Sequence, residues 1–217
     1  MSNSDIKKLK VLTIVGARPQ IIKCASLSRT IKTKFSSNIS EVLVHTGQHY
    51  DDNLSAALFR ELGISQPKFN LDINKLSHGA MTGRMIEQLE QVCIGENPDW
   101  IIVYGDTNST LAGAIVASKL NIKLAHVEAG LRSLNVSMPE EVNRVLTDRV
   151  SNLLFCPNEV AVRNLISEGY KNFFNVNFKN VGDIMYESAL YFSEQSRKPS
   201  VSFDLEKNNY VLATIHR

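Results

Sequence analysis

The chain has 217 residues, of which 43% are hydrophobic and 21% are charged, with a formal net charge of +2. This composition is typical of a globular, soluble protein with one large domain, or with one domain and part of another. The small net charge, without a run of five or six basic residues, argues against a nucleic-acid partner. No stretch approaches about 18 apolar residues, which argues against a membrane span. The polar start, Met1–Lys10, predicts no signal peptide, so we expect a cytoplasmic protein.

Three cysteines lie far apart in the chain, at Cys24, Cys93 and Cys156. Their number is odd and no two of them have a Cys-x-x-Cys spacing. We therefore expect buried free thiols in a reducing compartment, without a disulfide or a metal role.

Short apolar segments alternate with amphipathic segments along most of the chain. The apolar segments predict buried strands at 11–15, 42–45, 100–104, 123–127 and 153–156. The amphipathic segments predict helices at 21–34, 54–62, 81–94, 110–120, 140–150 and 159–168. This regular alternation predicts βαβ units and an α/β fold with a doubly wound parallel sheet.

The pattern starts again after Tyr170. It predicts a strand, a helix and a strand at Asn175–Val181, Ile184–Ser196 and Tyr210–Thr214. One βαβ unit buries too little apolar surface to fold alone. We therefore expect an N-terminal Rossmann-like domain over 1–172 and the start of an incomplete second domain over 173–217.

Ligands of open parallel sheets bind beyond the carboxyl ends of the strands, so the loops that follow the strands are candidate sites. After the first strand, Arg18 lies near a helix N-terminus, which favours an anion, and Lys23 follows about one turn later. This loop has neither the Gly-x-Gly-x-x-Gly pattern nor that of a P-loop. The loop Thr46–Asp51 fits either a site or a plain surface connection, and His45 and His49 match no common metal spacing.

Acidic residues follow the next strands: Asp106, Glu128 and, after Pro139, the pair Glu140 and Glu141. A nearby helix dipole alone would explain Asp106, Glu140 or Glu141. Together they gather at one edge of the sheet, with basic residues in the same loops at Arg18, Lys23, Arg132 and Arg144. Such a gathering costs stability and indicates a ligand site, in which carboxylates act as general acid and base and cations hold phosphate.

Seven motifs occur in an order that resembles the non-hydrolysing UDP-N-acetylglucosamine 2-epimerases. They are GARPQIIK (Gly16–Lys23), TGQHYD (Thr46–Asp51), YGDTNSTLAGA (Tyr104–Ala114), HVEAGLRS (His126–Ser133), MPEEVNR (Met138–Arg144), NVGDIMYES (Asn180–Ser188) and TIHR (Thr214–Arg217). The resemblance implies two Rossmann-like domains of the glycosyltransferase-B type, with the active site between them. It also implies inversion at C2 of the sugar by elimination and re-addition of UDP, for cell-surface polysaccharide biosynthesis, with no cofactor and a homodimer as the full-length form.

The resemblance also implies roles for particular residues. Glu128 matches the base at C2, Asp106 and Glu140 the groups for reprotonation, and His216 the contact to the leaving phosphate. The implied substrate-binding residues are Arg18, Lys23, Gln48, His49, Arg132, Arg144 and Arg217. In bacterial members the Gln48–His49 loop also lies near a site where substrate acts as an activator.

Some features leave alternatives open. Asp183 occupies a position where the best-studied branch of the family has Asn. The motif sequences GARPQ and GDIMYES resemble those of a branch that includes epimerases of UDP-2,3-diacetamido-glucuronic acid. A hydrolysing relative that releases free N-acetylmannosamine is a further alternative. Because the chain ends just after His216, we expect it to be truncated and to have weak or no turnover alone, or to bind only a ligand or a partner chain.

Overall fold

A computed structural model describes residues 7–48, 52–197, 206, 209–211 and 213. Within these residues one sheet of seven parallel strands runs in the order β3-β2-β1-β4-β5-β6-β7. The strands are β1 (Leu9–Val15), β2 (Ile39–His45), β3 (Phe69–Asn70), β4 (Trp100–Tyr104), β5 (Lys123–Val127), β6 (Leu153–Cys156) and β7 (Asn177–Asn180). The predicted doubly wound α/β fold is therefore confirmed.

Seven helices connect or follow these strands in the described part of the chain. They are α1 (Arg18–Lys34), α2 (Asp52–Glu61), α3 (His78–Glu96), α4 (Asn108–Lys119), α5 (Pro139–Val150), α6 (Glu159–Ser167) and α7 (Ile184–Ser193). Alternation along β1 explains how the sheet is covered on both faces. Leu12 and Ile14 pack in a core with α3 and α4, whereas Val11 and Val15 pack in a core with α1 and α2.

The last strand and helix lie beyond the boundary predicted between residues 172 and 173. Strand β7 nevertheless pairs with β6, and α7 packs on α1 through a hydrogen bond of 2.9 Å between the hydroxyls of Ser26 and Ser188. The division into two domains stays a prediction. The strand predicted at Tyr210–Thr214 lies partly outside the described residues, and Tyr210, Val211 and Ala213 adopt no strand conformation.

The three cysteines are free and buried, as predicted. Burial raises the pKa of each thiol to about 12, which leaves the sulfurs unreactive at neutral pH. None of the helices in the described ranges is long and apolar enough to cross a bilayer.

Candidate active site

The site begins where the direction of chain crossover reverses, between the neighbouring strands β1 and β4. The buried side chain of Gln20 connects the loops that follow these strands. Its oxygen accepts a hydrogen bond from the backbone N–H of Gly16 (2.8 Å), and its amide donates to the carbonyl of Tyr104 (2.7 Å). Gln20 therefore holds the loops after β1 and β4 in a fixed position relative to each other.

Gly16 allows three loops to approach one another closely. A Cβ at Gly16 would lie 2.1 Å from the hydroxyl oxygens of both Ser109 and Thr46, which hydrogen-bond each other at 2.7 Å. The Gln48 side chain joins this contact, because its oxygen accepts from the Ser109 hydroxyl (2.7 Å) and the Ser109 backbone N–H (3.0 Å). Only glycine fits at this position.

Lys23 and Glu128 form an ion pair at the centre of the crevice. Their side chains are 11% and 26% exposed, so the pair is shielded but open to a ligand. Glu128 has a backbone φ of 74°, a left-handed conformation that non-glycine residues rarely adopt and that is found often at functional sites. A Cβ on Gly105 would lie 3.3 Å from the Glu128 carboxylate and 3.5 Å from the Lys23 ammonium, so the loop after β4 meets this pair.

Asp106 follows Gly105, and two side chains of α5 bind it. Arg144 pairs with both Asp106 and Glu141, and the Asn143 side chain donates to the Asp106 carbonyl at 2.9 Å. Helix α5 thus fixes both the backbone and the carboxylate of Asp106. Glu140 lies in the exposed first turn of α5, four residues before Arg144 and on the same side of the helix.

Glu141 is a structural carboxylate. It is 2% exposed and accepts hydrogen bonds from the backbone N–H groups of Ser133 and Leu134, both at 3.0 Å. Burial raises the pKa of Glu141, but these bonds and Arg144 outweigh it and hold the pKa below its ordinary value. Glu141 therefore stabilises the loop after β5 and is buried next to the site.

The predicted contact between Arg132 and a substrate is not supported by the geometry. The Arg132 side chain is only 4% exposed, and its guanidinium binds Asp148 (2.7 Å) and both carboxylate oxygens of Glu168 (2.7 and 2.8 Å). These bonds occupy the guanidinium, so we assign Arg132 a supporting role.

A cleft of 190 Å³ opens beside Glu128 at the carboxyl ends of β5, β6 and β7. Apolar side chains line much of it, together with the carboxylates of Asp183 and Glu187. Asp183 also caps α7, because its side chain accepts from the Met185 backbone N–H at 2.8 Å.

The structure brings Lys23, Asp106, Glu128 and Arg144 together and holds Gln48 at the same crevice. Arg18 is exposed at the first turn of α1, beside Gly16. His49, His216 and Arg217 lie outside the described residues. No site role is predicted for Gln20, Ser109, Asn143 or Asp148, because each acts through a contact with a distant segment. In the described ranges, no three His, Cys, Asp or Glu side chains are grouped as a metal site requires.

The strand order and the charged crevice define a Rossmann-like α/β protein with a carboxylate site at the switch point of its sheet. The family model described as UDP-N-acetylglucosamine 2-epimerase matches residues 32–217. The chain belongs to this family.

Individual relatives agree with this assignment. The chain is 50% identical over 209 residues to the UDP-2,3-diacetamido-2,3-dideoxy-D-glucuronate 2-epimerase of Pseudomonas aeruginosa, covering 96% of this chain and 58% of that protein. It is 42% identical over 214 residues to a UDP-N-acetylglucosamine 2-epimerase of Methanocaldococcus jannaschii, covering 96% and 57%. The chain therefore spans little more than half the length of these relatives.

A solved structure gives the same result for the fold. The crystal structure of the Methanocaldococcus jannaschii UDP-GlcNAc 2-epimerase in complex with UDP-GlcNAc and UDP matches with a TM-score of 0.80 and 44% identity. The match covers 86% of this chain and 50% of that one. The fold thus matches about half of that epimerase chain.

Proposed function

We propose that the whole protein is an isomerase that inverts C2 of a UDP-sugar by eliminating UDP and adding it back. The observation that carries this proposal is the meeting of two carboxylates, Glu128 and Asp106, at Gly105, each paired with a cation. Proton transfer at carbon needs a base and an acid, and departure of a diphosphate needs positive charge. The crevice contains both kinds of group.

Glu128 is the proposed base. It takes the C2 proton while the C1–O bond breaks, UDP leaves with the bonding electrons, and a C1–C2 double bond forms. Asp106 and Glu140 serve the return step, in which C2 receives a proton from the opposite face and UDP re-forms its bond to C1. Two faces of one carbon need more than one acid or base, which agrees with carboxylates from β4, β5 and α5.

Lys23 and Arg144 are the proposed partners of the charges that develop. Each pairs with a carboxylate, and a diphosphate that binds competes for it. Arg18, Gln48 and His49 extend this binding surface along the loops after β1 and β2, and His216 and Arg217 contribute phosphate contacts. We assign no step to Arg132.

Two sugar nucleotides are candidate substrates. UDP-N-acetylglucosamine is named for the family model and for the relative of Methanocaldococcus jannaschii. UDP-2,3-diacetamido-2,3-dideoxyglucuronic acid is favoured by the 50% identity to the relative of Pseudomonas aeruginosa. Either product is a precursor for cell-surface polysaccharide in this proposal.

Product analysis tests the proposal. The whole protein is incubated with each sugar nucleotide, and the products are separated by anion exchange and identified by proton NMR. We expect a UDP-sugar with inverted C2 from one of the two. Free sugar plus UDP would identify a hydrolysing enzyme, and binding of both compounds without conversion would identify a ligand-binding protein.

We further propose a homodimer in the cytoplasm. Helix α5 supports the dimer because its buried side is polar while its outer side exposes Val142, Val145, Leu146 and Val150, with Met138 exposed just before its first residue. A twofold axis would pair this apolar stripe with the same stripe of a second copy. Light scattering on Val145→Asp should show a monomer, and an unchanged mass would exclude this face. The buried free thiols are consistent with a reducing compartment.

A further inference from the structure

His126 lies under the site, where both of its ring nitrogens have oxygen partners. The residue is fully buried on β5. Its Nδ1 lies 2.6 Å from a carboxylate oxygen of Asp148, and its Nε2 lies 2.7 Å from the carbonyl oxygen of Gly105. A carbonyl oxygen can only accept, so Nε2 must carry a proton.

The contact with Asp148 requires a proton on Nδ1 as well. Asp148 also accepts bonds from the Gly130 backbone N–H (3.0 Å) and from Arg132 (2.7 Å), which fits an ionised carboxylate. An unprotonated Nδ1 next to the ionised carboxylate of Asp148 would place two hydrogen-bond acceptors in repulsive contact.

One guanidinium serves two carboxylates beside the imidazole. Arg132 binds Glu168 through two hydrogen bonds and the buried Asp148 through one. A buried carboxylate that shares its cation is costly, so a second positive charge next to Asp148 is favourable. Cys156 and Tyr170 also lie near Asp148, but burial raises the pKa of each to about 12, so both are neutral. His126 is the remaining cation for Asp148 among these groups.

The Gly105 carbonyl connects this charge to the site. In a trans peptide the N–H of Asp106 points away from the Gly105 carbonyl, so a fixed carbonyl also fixes the direction of that N–H. A Cβ on Gly105 would lie 3.3 Å from the Glu128 carboxylate, so the same peptide borders the Lys23–Glu128 pair. Movement of this peptide would shift Asp106 relative to Glu128.

We propose that His126 is a positioning residue, held as a doubly protonated imidazolium by Asp148, which fixes the Gly105–Asp106 peptide beside Glu128. The structural part of this proposal stands on the hydrogen bonds alone. The catalytic part rests on the proposed function.

Nitrogen-15 NMR of the histidine ring tests the structural part. In the unaltered protein near pH 7, we expect both His126 nitrogens in the protonated range. Asp148→Asn should leave one ring nitrogen bare and shift the Asp106 amide resonance. Glu159→Gln, which removes an exposed carboxylate from the first turn of α6, should leave both signals unchanged. One bare nitrogen in the unaltered protein would overturn the proposal.

Kinetics of the whole protein test the catalytic part. Asp148→Asn should lower kcat about tenfold and leave KM within twofold, because the peptide is displaced while the binding groups remain. Glu159→Gln should keep both constants. An unchanged kcat in Asp148→Asn, together with the expected ring signals, would refute the positioning role. An unaltered protein that is inactive would refute the proposed function, and the NMR result would still decide the protonation of His126.

Discussion

Lys23 of α1 and Glu128, which follows β5, form an ion pair across 105 residues of sequence. The pair places a cation beside the proposed base at the edge of the sheet. In the proposed reaction, the Lys23 ammonium holds the departing diphosphate and the Glu128 carboxylate takes the C2 proton. One contact therefore joins a group for each half of the proposed elimination.

Replacement of Glu128 tests its role as the base. We expect Glu128→Gln in the whole protein to lower kcat by roughly 10²–10⁴-fold, because an amide cannot take a proton from carbon. The melting temperature should change little, since the side chain is 26% exposed. Glu159→Gln, an exposed residue in the first turn of α6, is the matched control and should keep full turnover. A rate for Glu128→Gln within tenfold of the control would remove Glu128 from the reaction.

The neighbouring residues Glu140 and Glu141 should behave in opposite ways. Glu140→Gln should reduce turnover without loss of stability, because the side chain is exposed and serves reprotonation. Glu141→Gln should lower the free energy of unfolding by about 1–3 kcal/mol, because an amide oxygen replaces a buried charged acceptor. Kinetics and urea denaturation of both variants check this, and a stability loss in Glu140→Gln alone would contradict the assignment.

Glu141 should also contribute to the pH dependence of stability. Its pKa is lower in the folded protein than its ordinary value of 4.5. The unfolded chain therefore binds the proton more readily, so the contribution is complete above about pH 4.5 and is lost as the pH falls below it. Urea denaturation between pH 3 and pH 7 should show a shallower acid decline in Glu141→Gln than in the unaltered protein. Equal acid slopes would show that this carboxylate titrates alike in both states.

Two glycine-to-alanine substitutions should change the stability of the protein in opposite directions. Gly16→Ala should destabilise the protein by about 1–3 kcal/mol, because its methyl group collides with Ser109 and Thr46. Gly83→Ala, in the exposed middle of α3 with no atom within 4 Å of the new Cβ, should stabilise it by about 0.5–1 kcal/mol. Thermal unfolding of both variants measures the difference, and equal effects would disprove the close approach at Gly16.

Periodicity predicted most of the fold because long parallel strands are nearly continuous apolar runs. The strands at 100–104, 123–127 and 153–156 were predicted with the bounds that the structure has. Strand β3 was missed because two residues, Phe69 and Asn70, carry no pattern. The predicted boundary at residue 172 did not anticipate that β7 would join the same sheet, since strand pairing depends on partners distant in sequence.

The sequence predicted charged residues at this edge of the sheet, but it did not predict which of them form ion pairs with each other. The loops after β1, β4 and β5 and the start of α5 predict that Lys23, Asp106, Glu128 and Arg144 gather at one edge. The structure pairs Lys23 with Glu128 and Arg144 with Asp106. Arg132 has the same kind of position, but its side chain turns inward to Asp148 and Glu168. The direction of the Arg132 side chain depends on Asp148, a buried partner 16 residues away. No local motif encodes this contact.

The central claim is that carboxylates at this edge move a proton at C2 of the sugar. The most direct test is incubation of the whole protein and its UDP-sugar substrate in deuterated water, followed by mass spectrometry and NMR of the product. The account predicts one deuterium, at C2, and no label with Glu128→Gln. Epimerised product without deuterium at C2 would contradict it.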